Sequence, residues 1–100
     1  MTGTERRQPA VYILASRPNG TLYTGVTSDL IRRIWEHKND LIDGFSRRYG
    51  VLSLIYHELH DSMESAIARE KQLKAGSRQR KLALIQAQKP NWKELYDDVL

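Results

Sequence analysis

Between Ser62 and Ala75 an apolar stripe of helical period is interrupted by a carboxylate, and any fold that uses this helix has to accommodate the acid. At ~100° per residue Met63, Ala66, Ile67 and Leu73 share one side of a helix, and Glu70 falls in the middle of that side. A carboxylate aimed at a core is costly unless it is paired, hydrogen-bonded or holding a cation. Glu70 also precedes Lys74 by four positions, the favourable order for an ion pair on a solvent-facing helix. A surface pair and a functional acid are therefore both open readings, and the rest of the chain has to separate them.

One hundred residues with 40% hydrophobic content suit one modest core, so residues 10–100 are read as a single domain preceded by a loose polar arm over residues 1–9. That arm lacks the apolar stretch of a secretion signal, and no apolar run approaches the ~20 residues that cross a bilayer. No membrane association is expected. The chain has no cysteine, which excludes disulfides, thiolate nucleophiles and cysteine-ligated zinc and fits a reducing cytoplasm. Net charge is +4 and the pI about 9.6, favouring an anionic partner. Basic residues gather at Arg32 and Arg33, at Arg47 and Arg48, and from Arg69 through Lys71 and Lys74 to Arg78, Arg80 and Lys81, a distribution that would match a nucleic-acid backbone.

Two runs rich in β-branched and aromatic residues, Ala10 to Ala15 and Thr21 to Val26, flank Pro18-Asn19-Gly20 and predict a hairpin. Asp29 can cap a helix through Lys38 whose Leu30, Ile31, Ile34 and Trp35 form the buried face, followed by a polar loop from Asn39 to Gly50. Val51 to Leu59 has too many apolar positions for simple alternation and reads as a strand covered on both faces, suited to the middle of a small sheet. After the helix bearing Glu70, Gly76 marks a stop and Ser77 restarts helix from Arg78 to Ala87. Pro90 closes it, and Trp92, Leu95 and Tyr96 have the spacing of a short terminal helix.

Strand parity places the polar side chains. A tight turn at Asn19-Gly20 sets Ser16 opposite Tyr23, Leu14 opposite Gly25 and Tyr12 opposite Thr27, so Tyr12 and Tyr23 project from one face. A four-residue loop keeps that parity and brings the phenols closer, with Gly25 clearing the space between them. On the following helix Arg33 and His37 lie four apart on one side, at the edge of the apolar stripe, with Arg32 on its other edge. The segment His57-Glu58-Leu59-His60 has the wrong spacing for a zinc motif, and its histidines would point to opposite faces of a strand.

Taken in order, Val11-Tyr12-Ile13, Tyr23-Thr24-Gly25, the helix segment Asp29 to His37 and Arg69-Glu70-Lys71-Gln72-Leu73-Lys74 resemble the GIY-YIG nuclease superfamily. The resemblance is greatest to its small single-domain bacterial branch, related to the nuclease domain of the excision-repair incision enzyme, and it runs from about Val11 to Tyr96. It implies an α+β fold: a small three-stranded antiparallel sheet flanked by helices in the order β-β-α-β-α-α. It also implies divalent-metal-assisted phosphodiester hydrolysis, with Mg²⁺ or Mn²⁺ as the ion and DNA as the partner. By the same resemblance Tyr12, Tyr23, Arg33, His37 and Glu70 are the catalytic residues, Glu70 is the metal ligand, and Gly25 is the structural glycine closing the second motif. Two departures stand out. Val11 replaces the family's first glycine, and Lys89-Pro90-Asn91-Trp92 replaces the branch's Asn-Pro-x-Trp segment.

Phosphodiester cleavage needs charge stabilisation at the phosphoryl oxygens, an activated water and help for the leaving alkoxide. Arg33 offers a planar fork for the phosphate, Glu70 a seat for the ion, Tyr23 a base or water-orienting group, Tyr12 its positioning partner, and His37 a phosphate contact or proton relay. Arg32, Arg47, Arg48, Lys71 and Lys74 are the expected backbone contacts, and a chain this short, taken as a monomer, leaves no room for arms that read sequence. The expected function is therefore a DNA endonuclease of low sequence specificity, with a possible role in repair or recombination. Two competing readings are a weakly catalytic nucleic-acid-binding module with the same fold, and a protein-interaction domain for an acidic partner.

Overall fold

The unbroken apolar run at the start of the chain becomes the central strand of the sheet. In the computed structural model, which describes residues 8–17, 20–39 and 53–88, β1 (Ala10–Ala15) is buried at every position. It pairs antiparallel with β2 (Leu22–Thr27) on one side and β3 (Ser53–Leu59) on the other, giving the order β2-β1-β3. Three helices complete the described residues: α1 (Leu30–Lys38), α2 (Met63–Ala75) and α3 (Arg78–Gln88). The result is the expected α+β fold with the order β-β-α-β-α-α. No helix among the described residues is long and apolar enough to cross a membrane.

Both faces of the sheet are covered. Tyr12 and Leu14 pack with Leu30, Ile34 and Leu54 beneath α1, whereas Ile13 and Ala15 meet Tyr56 and Ile85 beneath α3, and Val11 meets Ala66 and Leu73 of α2. The position of β3 corrects the sequence reading, because β3 is an edge strand and β1 takes the middle. An apolar run reports that both faces are covered, which helices can do for an edge strand as well as for a central one. Part of that edge is closed by Gln88, whose side chain accepts from the His57 N–H at 3.1 Å and donates to the His57 carbonyl at 2.8 Å.

The hairpin adopts the longer of the two turns weighed from sequence. The Ser16 N–H donates to the Thr21 carbonyl at 3.1 Å and the Gly20 N–H to the Arg17 carbonyl at 2.9 Å, which sets the register of the longer turn. Tyr12 therefore stands opposite Gly25 rather than Thr27, and Leu14 opposite Tyr23, with face parity preserved. A β-carbon built on Gly25 would overlap the Cζ and Oη atoms of Tyr12, so the ring lies directly on the glycine.

The expected cap at Asp29 forms, and Ser62 caps the next helix. Asp29 Oδ1 accepts from the Arg32 N–H at 3.3 Å to start α1, and Ser62 Oγ accepts from the Ser65 N–H at 3.1 Å to start α2. The buried face of α1 does not follow sequence: Leu30, Ile34 and His37 are buried while Ile31 and Trp35 are exposed, Trp35 at 49%. In α2 only Ala66 and Leu73 are fully buried, and Met63 and Ile67 lie on the exposed margin. The expected loop after Asn39 and the expected terminal helix at Trp92, Leu95 and Tyr96 lie outside the described residues.

Gly25→Ala is expected to destabilise the protein by about 1–3 kcal/mol through overpacking against Tyr12, and Gly25→Val by more. The midpoint of urea unfolding measures this; an unchanged midpoint would mean that the ring moves aside at no cost.

Candidate active site

Three rings from separate elements meet over Gly25. The Tyr12 hydroxyl and His37 Nε2 are hydrogen-bonded at 3.1 Å, and both side chains are almost completely buried, at 1% and 2% exposure. Tyr23, diagonal to Tyr12 across the hairpin, packs tilted at 44° against Tyr12 and edge-on against His37: ring centroids are 6.3 Å apart for Tyr12 and Tyr23, 5.4 Å for Tyr23 and His37, and 5.9 Å for Tyr12 and His37. Tyr23 is the partly exposed member, so it is the one a solvent-borne group meets first.

The charges around these rings come from Arg33 and Glu70. Burial raises the Tyr12 phenol above its ordinary value of 10, and Tyr23 and Glu70 raise it further while Arg33 opposes them. Burial and the Arg33 guanidinium both push His37 below 6.5, against a smaller opposing pull from Glu36. His37 is therefore a neutral imidazole at pH 7 and Tyr12 a neutral phenol. Of the five residues singled out in the sequence, Tyr12 is the one the other four share: Tyr23, Arg33 and Glu70 act on its phenol and His37 is hydrogen-bonded to it.

Arg33 lies one helical turn before His37 and lines a polar cavity of about 280 Å³ with Thr27, Ser28, Asp29, Arg32 and Glu36. Glu36 is a member of this site that sequence reasoning did not single out. Its carboxylate holds Arg32 Nε at 3.3 Å and Arg33 Nε at 3.7 Å, a pairing written in their i,i+4 and i,i+3 spacing. Arg32 is turned outward and stands apart from the rings, and Lys71 is exposed; Arg47 and Arg48 lie outside the described residues, as do Lys89 and Asn91.

Glu70 is at once recessed and paired. It sits between buried Ala66 and Leu73 on α2, which packs against β1 and the outer strand β2, and its side chain is 13% exposed. Its Oε2 nevertheless receives Lys74 Nζ at 2.7 Å, from a lysine that is 53% exposed. No group of three His, Asp or Glu side chains gathers among the described residues. A single fixed carboxylate suits a hard ion that keeps most of its waters, so Glu70 is the residue that could hold Mg²⁺ or Mn²⁺.

A second polar network, also missed in the sequence, lies on β3 and α2. Glu58 accepts from Tyr56, from His60 Nε2 at 2.9 Å and from Arg69 Nε at 2.9 Å. Burial pushes the Glu58 carboxyl up, but these donors outweigh it and hold the group below the usual carboxylate range, while Tyr56 rises to about 12. Tyr56, Glu58 and His60 alternate along the strand and the turn that follows it, whereas Arg69 comes from α2, a donor that local spacing does not show; the network ties α2 to the sheet.

A family model described as the GIY-YIG catalytic domain matches residues 8–83. Among curated proteins, a UPF0213 protein of Staphylococcus saprophyticus is 36% identical over 75 residues, covering 75% of this chain and 90% of the relative. A UPF0213 protein of Clostridium perfringens is 37% identical over 75 residues, covering 75% and 80%, and one of Desulfotalea psychrophila is 33% identical over 94 residues, covering 93% and 84%. No solved structure matches.

The buried imidazole sets a pH dependence. Because folding depresses His37, the unfolded chain takes up a proton that the folded chain refuses once the pH drops below 6.5. Stability from this group is complete above that pH and declines beneath it until His37 itself protonates. Thermal melts between pH 7.5 and about pH 5 should show a steeper loss for the wild type than for His37→Gln; parallel curves would contradict the assignment.

Proposed function

The chain belongs to the GIY-YIG catalytic-domain family, and from that premise we propose that it is a divalent-metal-dependent endonuclease hydrolysing phosphodiester bonds in DNA with low sequence specificity. The observation that carries the reading is the neutral Tyr12–His37 pair buried beside Tyr23, with the charges of Arg33 and Glu70 acting on the same phenol. A structural cluster has no need to hold an acid and a guanidinium at the edge of a polar core, whereas phosphoryl transfer uses both.

Arg33 would fork the non-bridging oxygens of the scissile phosphate, entering from the polar cavity, with Glu36 holding its guanidinium in place. Tyr23, partly exposed, orients or deprotonates the attacking water. Tyr12 packs beside the Tyr23 ring and is hydrogen-bonded to His37 Nε2, a neutral acceptor, so the Tyr12–His37 pair would serve as an inward relay for a proton leaving Tyr23. The burial of His37 favours this relay over direct contact with phosphate. Held by Glu70 and Mg²⁺-like in its demands, a divalent ion would supply charge to the phosphoryl oxygens and the departing alkoxide. A DNA substrate would be met in the cytoplasm, and low sequence specificity suits a role in repair or recombination.

A second reading, a nucleic-acid-binding module that cuts little, draws on the Lys74 ammonium seated on Glu70. Supercoiled-plasmid nicking separates the two. Glu70→Gln should lower Mg²⁺-dependent nicking at least ~100-fold, and Arg33→Lys at least ~10-fold, while salt-sensitive binding is retained. Tyr23→Phe at full turnover would remove Tyr23 as the base. A wild-type protein that binds DNA and cuts no topology would establish the second reading in place of the first.

A further inference from the structure

Glu70 and Lys74 form the shortest ion pair recorded among the described residues, 2.7 Å, yet the two partners differ sharply in freedom. The carboxylate is wedged between Ala66 and Leu73 and is 13% exposed, whereas the lysine is 53% exposed on a stem of four methylenes. If a divalent ion arrives at Glu70, the lysine is the partner able to move. Leaving it in place would set an ammonium against a dication across one carboxylate, which is unfavourable at this range.

Lys74 also has a destination. Burial lowers the ammonium of Lys81 on α3, and next in order Lys74 and Arg78 lower it too, so these three cations share one field across α2 and α3. Arg78 is anchored to the hairpin loop by donating to the Gly20 carbonyl at 2.7 Å, on the same molecule edge as the β1–β2 turn. A polyanion lying across this surface would accept a third cation there.

We propose that Lys74 is an exchangeable counter-ion: it neutralises Glu70 in the metal-free protein, and when a divalent ion takes the carboxylate it swings away to a backbone phosphate of the nucleic acid. This rests on the assignment of Glu70 as metal ligand and adds to it. The charge balance closes, since the ion replaces the ammonium on Glu70 and the ammonium then meets a phosphate. The device makes metal and nucleic acid bind cooperatively through one side chain.

The test separates this inference from the reading beneath it. Mn²⁺ binding to the nucleic-acid-free protein, followed by the electron paramagnetic resonance of free Mn²⁺, should be about three- to tenfold tighter in Lys74→Met and Lys74→Gln than in wild type. Binding of a short DNA duplex is then measured against salt, in EDTA and in Ca²⁺. The wild-type salt slope should exceed that of Lys74→Met by about one unit in Ca²⁺ and by nothing in EDTA. Equal Mn²⁺ affinities, or equal salt slopes in Ca²⁺, would overturn the counter-ion exchange while leaving Glu70 as ligand. Glu70→Gln binding Mn²⁺ as tightly as wild type would overturn the ligand assignment itself, and the exchange with it.

Discussion

The contact between the Tyr12 ring and the bare backbone of Gly25 sets everything else in the site. A strand register that puts any side chain opposite Tyr12 would expel the ring, and with it the hydroxyl that meets His37. Because the side-chain period of a strand is two, the longer turn preserves the face while shifting the partner, so Tyr23 arrives diagonally at stacking distance instead of directly opposite. The rotation of α1 follows from the same contact. A buried phenol left without a partner costs about 1–3 kcal/mol, and turning His37 inward supplies one.

Polar groups are thereby built into a core, and the surroundings are arranged to keep them neutral. Tyr12 is held protonated and His37 deprotonated at pH 7, so two titratable groups lie under α1 without introducing a net charge. The charged members, Arg33 and Glu70, stay at the rim, each with a counter-charge from its own helix: Glu36 for the first, Lys74 for the second. Glu58 plays the opposite part on the other face of the sheet, where an ionised carboxylate is stabilised by donors from Tyr56, His60 and Arg69 and fixes α2 to β3. That attachment holds the helix carrying Glu70.

Much of this was legible from sequence where the governing rule is local. Strand parity, the cap at Asp29, and the position of Glu70 within an apolar stripe follow from periods of two and 3.6 and from a short polar side chain. What failed was tertiary in origin. Leu30, Ile31, Ile34 and Trp35 offer two overlapping stripes, and the choice that buries His37 and exposes Trp35 depends on Tyr12, eighteen residues before the helix begins at Leu30. The apolar run of β3 could not distinguish an edge from a centre, and the Glu58 network draws its donors from a helix as well as from its own strand. The motif sequence resembling the GIY-YIG nucleases carried the family, which the match over residues 8–83 bears out.

The most direct test of the central claim is a crystal of the protein grown with Mn²⁺ and a phosphorothioate dinucleotide, with the ion located by its anomalous scattering. The expected result is one peak on the Glu70 carboxylate, with the phosphorothioate between it and Arg33 and within hydrogen-bonding reach of Tyr23. An ion bound elsewhere, or Glu70 still held by Lys74 with the dinucleotide remote from the phenols, would contradict it.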